Sequence, residues 1–350
     1  MKHFSKTLLT WYGHYKRELP WRGETDPYKI WISEIILQQT RIAQGWNYYL
    51  RFIERFPTVT DLAASSEDEV LKYWQGLGYY SRARNLHTGA KYIMNEHKGI
   101  FPTAYKDILK IKGVGEYTAS AIASIAFNLP YAAIDGNAFR VLTRMFGIDT
   151  PIDTTAAKKE ITVLASQLMD TKHAGLFNQA LMDFGSLQCL PAHPDCDKCC
   201  FVFDCVAKQR CLQNLLPVKS QKQKVRTRYF YYFRIYRQTE ILIRKREEKD
   251  IWKGLYEFPL FEREKELSEE EILSNSFLTG ILDGCTWTIK SISSQYKHQL
   301  THQLIIARFI TLTITKGKPH LYNSILSIPE ANMDNYPVAR LIERFFSYEL

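Results

Sequence analysis

The stretch WISEIILQQT, residues 31–40, sets Glu34 and Gln38 four apart on one face of a helix whose neighbours Trp31, Ile32, Ile35, Ile36 and Leu37 are apolar. A carboxylate in such company is expected to be partly desolvated, which raises its pKa and makes it a better proton donor. The residue types alone leave open a surface or salt-bridged glutamate. A second carboxylate, Asp135 in IDGNAFRV, falls in a loop just before a helix, flanked by Gly136 and Asn137. Two carboxylates in different surroundings are what cleavage of a glycosidic bond needs: one protonates the leaving group and the other faces an oxocarbenium-like sugar.

Three further stretches could do chemistry. Six of the seven cysteines fall in one short segment, and within LQCLPAHPDCDKCCFVFDC four of them, Cys189, Cys196, Cys199 and Cys205, have the close spacing of a tetrahedral metal site or an iron–sulfur cluster. Counting sulfurs does not choose between the two, and Cys200 and Cys211 fall outside the spacing. In GVGEYTA a turn built on Gly113 and Gly115 opens a helix and would turn backbone N–H groups toward a phosphate, although such turns between helices are commonplace. QGLGYYSRARNL interleaves two tyrosines with Arg82 and Arg84, a pattern that suits base stacking and phosphate neutralisation or, equally, core packing beside a solvated face.

The elements that must position these residues divide the chain in two. Up to about residue 210, apolar residues recur at spacings of three and four, punctuated by turn signals at FPTVTD, QGLGYYS, KGIFPT and IKGVGE, with Asp61 and Thr103 as expected N-caps. PVKSQKQKVRTR then breaks the periodicity and reads as a basic linker. Beyond it, RYFYYFRIYR, EILIRKR, LYEFPLF and HQLIIARFITLTI carry the aromatic and β-branched character of strands, accompanied by helix-like SEEEILSNSF and PVARLIERFF. An all-α domain followed by an α+β domain is expected, and 350 residues suffice for two cores. A net charge of +9 favours a polyanionic partner. Without an apolar run of about 18 residues or a signal-peptide pattern, an intracellular protein is expected, with no membrane span.

Taken together, LPWR, DPYKIWISEIILQQT, FPTVTDLA, GLGYYSRARNL, IKGVGEYTASAI, IDGNAFRV, FNQALMDFG and the four-cysteine array resemble, in order and over essentially the whole chain, the helix–hairpin–helix DNA glycosylases and specifically the adenine DNA glycosylase (MutY) family. The resemblance implies a helical glycosylase domain over 1–212, with the helix–hairpin–helix near 108–122 and one [4Fe-4S] cluster in the loop 189–205. A basic linker over 213–228 and a MutT/Nudix-like domain over 229–350 would follow. Its partner would be double-stranded DNA carrying adenine opposite 8-oxo-guanine or guanine, bound by a monomer in a bacterial cytoplasm, associated with the nucleoid.

By the same resemblance, Glu34 matches the general acid and Asp135 the carboxylate that stabilises the sugar cation or bonds transiently to it, supported by Tyr117 and Asn137. Arg22, Leu37 and Gln179 match positions around the flipped adenine. Gln39 and Tyr80 match residues inserted at or near the lesion pair, and Cys189, Cys196, Cys199 and Cys205 match the cluster ligands. Related glycosylases with strand-cleaving lyase activity carry a lysine where Tyr117 stands, and a phenol cannot form their Schiff base, so a monofunctional enzyme is implied. The second domain lacks the acidic Nudix box, which implies recognition without hydrolysis. Where the family's sensing loop usually reads Phe-Ser-His, this chain has Leu300, Thr301 and His302. Two other classes are weighed beside this one: a thymine–guanine mismatch glycosylase of the same fold, and a non-catalytic DNA-binding scaffold.

Overall fold

The computed structural model describes residues 2–220, 225–322 and 324–349. By its internal contacts the chain forms two units, one of residues 1–64 and 85–221, the other of residues 65–84 and 222–350.

The first unit is helical. Six of its elements frame the two carboxylates and the hairpin: α1 (Lys2–Tyr15), α2 (Pro27–Leu37), α3 (Tyr105–Ile108), α4 (Glu116–Phe127), α5 (Gly136–Phe146) and α6 (Ala174–Leu187). The apolar run of α2 forms a helix because Asp26 caps it, accepting from Tyr28 N, and Pro27 pre-sets the first turn. Seven of the eleven residues of α2 are then buried, and it packs on α4. A second core gathers Leu8 and Trp11 of α1, Val141 and Leu142 of α5, and Phe177, Leu181 and Phe184 of α6. Two glycines set the spacing. At Gly113 φ is +83°, and the turn it makes joins α3 to α4 as a helix–hairpin–helix. At Gly185 an added Cβ would lie 2.6 Å from Asn137 Cβ, so α6 can approach the start of α5 only without a side chain there.

Two expected caps shift. Asp61 sits in the first turn of the helix Val59–Ala64 and forms a reciprocal pair with Thr58: Thr58 N donates to the Asp61 carboxylate (3.1 Å) and Asp61 N donates to Thr58 Oγ1 (3.3 Å). Ala104, one residue past Thr103, precedes α3 and makes no side-chain cap.

The second unit holds one mixed sheet of β1 (Arg226–Arg237), β2 (Glu240–Lys245), β3 (Tyr256–Glu257), β4 (Leu260–Arg263), β5 (Thr286–Ile292), β6 (Tyr296–Gln299), β7 (Gln303–Lys316) and β8 (Ile325–Pro329). β1 and β7 run parallel at its centre, and the other pairings are antiparallel. β1 is apolar on both sides because both are covered. Phe230 and Tyr232 face a core with Leu341, Ile342 and Phe345, while Tyr231, Phe233 and Ile235 face one with Ile272, Leu278 and Ile281.

The basic linker is shorter than expected. Lys222 and Lys224 lie outside the described residues, whereas Arg226 and Arg228 are already in β1. Arg228 is only 5% exposed, bound to Glu262 (2.6 Å), Asp250 (2.5 Å) and Gln303 (2.8 Å). A guanidinium so engaged is a sheet staple with nothing left for a phosphate.

Residues 65–84, read from the sequence as part of the helical domain, go with the sheet. Asp68 accepts from Lys245 Nζ (2.5 Å) and Tyr256 OH (2.9 Å), Val338 N donates to Gln75 Oε1 (3.2 Å), and Arg84 donates to the Lys253 carbonyl.

Candidate active site

Glu34 projects from the middle of α2, and Tyr117, in the first turn of α4, donates its hydroxyl to Glu34 Oε2 at 2.7 Å. One turn on, Gln38 Nε2 donates to Thr118 Oγ1 (3.3 Å), so the same two helices are tied twice. Burial pushes the Glu34 carboxyl up; the Tyr117 hydroxyl and the Arg22 guanidinium pull the other way, and the negative charge of Asp135 adds to the rise. The sequence expectation of a desolvated carboxylate therefore matches its surroundings. Tyr117 is held well above the usual phenol range by burial and by Glu34, so it stays a hydrogen-bond donor.

Asp135 caps α5. Its Oδ1 accepts from Ala138 N (2.7 Å) and its Oδ2 from Asn137 Nδ2 (2.7 Å). Burial raises its pKa, and these N–H groups at the helix start counter the rise. The two carboxyls thus feel each other but are held differently, one by a phenol and the other by the amides of a helix N-terminus. That asymmetry can keep one protonated while the other is ionised.

Arg140, one turn along α5, donates to Asn137 Oδ1 (2.8 Å), the Gly185 carbonyl (2.7 Å) and the Cys189 carbonyl (2.8 Å). Asp135, Asn137 and Arg140 therefore form one chain of hydrogen bonds from the site to the cysteine loop. Gln179 accepts from Tyr12 OH (3.1 Å), and Asp183, one turn along α6, accepts from Arg22 (2.7 Å) and Arg17 (2.5 Å). Sequence reasoning passed over Arg17, Arg140 and Asp183. Asp183 carried the signal that singled out Glu34, a lone carboxylate in an apolar helix, inside the quoted FNQALMDFG.

Leu37 ends α2, and Gln39 follows it, exposed and in a left-handed conformation (φ 55°). Gly115 is the extended N-cap of α4, with open space around it and no capping side chain.

Tyr80, Thr301 and His302 lie in the second unit. Tyr80 is 4% exposed, with Gly76 N donating to its hydroxyl and the hydroxyl donating to the Val338 carbonyl, so its ring is not presented to any ligand. Its neighbour Tyr79 is 49% exposed, and Tyr79 OH shares a 2.7 Å hydrogen bond with Thr301 Oγ1. The expectation of Tyr80 at the lesion pair does not fit this burial, and the exposed ring of the pair is Tyr79. Arg82 is likewise packed inward, over Trp74 and Tyr79, and burial pulls its pKa down to about 10. The loop between β6 and β7 is Leu300, Thr301 and His302, with Leu300 turned to the core and the other two exposed.

The four spaced cysteines converge. Cys189, Cys196, Cys199 and Cys205 line one cavity of about 30 Å³ together with Val141, Phe184 and the cations Arg144 and Lys208. Arg144 donates to Cys189 Sγ (3.5 Å) and to the Leu190 and Pro191 carbonyls (2.7 and 2.9 Å). Burial and mutual proximity raise the thiols of Cys189 and Cys196, a cost that a metal cation removes. Cys200 and Cys211 are exposed and do not line the cavity. Among the described residues no three His, Cys, Asp or Glu side chains close on a single-ion point.

A profile of the HhH-GPD superfamily of base excision DNA repair proteins matches residues 32–167, and a NUDIX domain profile matches residues 231–348. The chain is 36% identical over 318 residues to the adenine DNA glycosylase of Buchnera aphidicola subsp. Baizongia pistaciae, covering 89% of this chain and 87% of that one. With the Homo sapiens adenine DNA glycosylase it shares 41% identity over 222 residues, 61% of this chain and 41% of that one. Among solved structures, a thermostable thymine-DNA glycosylase aligns with a TM-score of 0.55 at 31% identity, covering 60% of this chain and 97% of that one. A trapped endonuclease III–DNA covalent intermediate shares the fold, with a TM-score of 0.52 at 19% identity over 60% of this chain and 96% of that one.

Proposed function

Because the chain belongs to the adenine DNA glycosylase family of base excision repair enzymes, we propose that it releases adenine flipped out of duplex DNA, with Glu34 as the acid and Asp135 facing the sugar. The observation that carries this reading is the pair of carboxyls on α2 and at the start of α5, one bonded to a phenol and the other to helix amides. Glu34, whose carboxyl is pushed up by burial, gives its proton to the leaving base, and Tyr117 then stabilises the carboxylate left behind. Asp135 lies ionised against the cationic sugar that forms as the glycosidic bond breaks, and water completes the hydrolysis at that carbon. Asn137 orients Asp135, while Arg22, Leu37 and Gln179 surround the base. Tyr117 offers no amine for a Schiff base, so the product is an intact strand with an abasic site.

The base opposite is read as 8-oxo-guanine by the second unit. Thr301 can accept from the N7–H that distinguishes 8-oxo-guanine from guanine, with His302 beside it. Tyr79, bonded to Thr301, is the ring that stacks at the lesion, and Gln39, exposed at the end of α2, is a second residue for the lesion pair. The backbone amides around Gly113 and Gly115 hold a phosphate.

The thymine-DNA glycosylase likeness supports a second reading, but it covers 60% of this chain, whereas the Buchnera relative covers 89%. Single-turnover excision from duplexes carrying A opposite 8-oxo-guanine, A opposite G and T opposite G separates the two. Release of thymine in preference to adenine would overturn the adenine reading.

The cysteine cavity fits a [4Fe-4S] cluster. Four cysteines lining one cavity beside Arg144 and Lys208 suit a cluster held by four thiolates. Cys189, Cys196, Cys199 and Cys205 would hold the cluster, with Arg144 and Lys208 offsetting its negative charge. Its contribution is structural, fixing the loop onto α5 and α6. Purified protein is expected to be brown, with equimolar iron and acid-labile sulfide; a colourless active protein holding one zinc would refute this.

A further inference from the structure

We propose that Asp183 is a positioning residue for base excision: its buried carboxylate clamps Arg22 beside Glu34, shares the same oxygen with Arg17, and offsets one of their two charges. This rests on the adenine reading of the site.

Residues 17–22, RELPWR, form neither helix nor strand; a single turn bond, Arg22 N to the Leu19 carbonyl (2.8 Å), orders them internally. Their placement comes from outside. Trp21 packs edge-on against Tyr49 (5.4 Å) and Trp46 (6.2 Å), and Asp183 holds the arginines at either end. Its Oδ1 accepts from Nη2 of both Arg17 and Arg22, and its Oδ2 accepts from the Arg17 backbone N at 3.4 Å. Asp183 is 0% exposed, so it has no water to fall back on. A carboxylate in that position is tolerated only while its cations stay in place, and they in turn are fixed by it.

Both guanidiniums also keep a donor in reserve. Nε of Arg17 and Nε of Arg22 are buried with no partner, an arrangement that calls for an acceptor the free protein does not supply. A base in the site carries such acceptors. Asp183 therefore pre-pays the ordering of two donors that would otherwise sample many rotamers.

The second consequence is electrostatic. Glu34 is faced by Tyr117 from α4, Asp135 from the start of α5, Arg22 from the 17–22 loop and, through Arg22, by Asp183 from α6. Arg22 favours the Glu34 carboxylate, whereas an acid catalyst must be held as the carboxylic acid. Asp183 moderates that pull. Replacing it by Asn leaves two uncompensated cations, so Glu34 loses its proton at lower pH and the acid-competent range closes earlier.

The test is single-turnover excision of adenine opposite 8-oxo-guanine across pH, for the wild type and the variants Asp183→Asn, Asp183→Glu and Arg17→Gln, each checked by thermal melting. Asp183→Asn should slow excision on the order of 10- to 100-fold, as for an ångström-scale misplacement, and move the alkaline limb of the pH profile to lower pH. Asp183→Glu, which keeps the charge, should return the limb to its wild-type place. Arg17→Gln removes a cation and should move it to higher pH, which carries the test even if Asp183→Asn does not fold. An alkaline limb that stays put in Asp183→Asn, or stays put or falls in Arg17→Gln, overturns the proposal. A wild type that releases no adenine overturns the parent reading and this one with it.

Discussion

Glu34 has conflicting demands: its helix wants an apolar residue, and the reaction proposed for it wants an acid. Burial raises the pKa of both Glu34 and Asp135. A carboxyl whose folded pKa exceeds its unfolded one stabilises the fold while protonated, and that contribution is lost as pH rises through the folded value. Glu34→Gln keeps the shape and an acceptor for Tyr117 OH but, having no ionised form, escapes the cost of holding a carboxyl protonated at neutral pH. It should lower excision about 10²–10⁴-fold while raising the melting temperature at neutral pH, an outcome read by single-turnover kinetics beside a thermal melt. Loss of activity with a lower melting temperature would mean that Glu34 is structural. In the wild type, activity should fall above the raised pKa of Glu34 and again at acid pH where Asp135 is protonated, a bell whose two limbs belong to the coupled pair. Glu34 was legible because a carboxylate among isoleucines is conspicuous. The choice between Tyr79 and Tyr80 was not, because it turns on the left-handed backbone at Tyr79 (φ 48°), which sends adjacent rings opposite ways.

At the level of elements, α6 organises the site from behind. It offers Gln179 and Asp183 on one stretch and, at Gly185, lets the backbone touch Asn137. Its next turn leads into Cys189. A Gly185→Ala substitution would push a methyl to 2.6 Å from Asn137 Cβ and 2.8 Å from its carbonyl. Overpacking of this kind costs about 1–3 kcal/mol. The displacement falls on Asn137, hence on the Asp135 and Arg140 hydrogen bonds, so excision should drop more than stability alone explains. Comparing folded fraction with single-turnover rate checks this, and an unchanged rate per folded molecule would exclude Gly185 from positioning the site. Helical periodicity exposed α2 and α4 in the sequence, and the aromatic runs exposed β1 and β7. β5, β6 and β8 were missed because β5 and β6 are largely solvent-facing and β8 is short. The linker was overextended because Arg228 looks like a solvated cation until Glu262 on β4, and Asp250 before it, come to meet it.

The chain carries the proposed acid site in one unit and the Thr301 loop in the other, and the segment 65–84 interrupts the helical unit in sequence. That segment leaves the helical unit, packs with the sheet through Asp68, Gln75 and Arg84, and presents Tyr79 to Thr301 before returning at residue 85. Truncation near Leu216 therefore removes more than a recognition loop: it strips residues 65–84 of their partners and confuses lost recognition with lost folding. Thr301→Val is the cleaner cut. It keeps the branched shape on an exposed turn, so the melting temperature should not move, but it deletes the hydroxyl proposed to accept from N7–H of 8-oxo-guanine. One such hydrogen bond is worth about 0.5–1.5 kcal/mol, so the preference for A opposite 8-oxo-guanine over A opposite G should shrink by roughly 2- to 12-fold at constant chemistry. Tyr79→Phe leaves the ring and the Thr301 hydroxyl in place and removes only their mutual bond, which frees Thr301 to meet the lesion. Its preference should hold or rise, and the two variants together should resemble Thr301→Val alone. An undiminished preference in Thr301→Val, measured on both duplexes in parallel, would place lesion recognition elsewhere in the molecule.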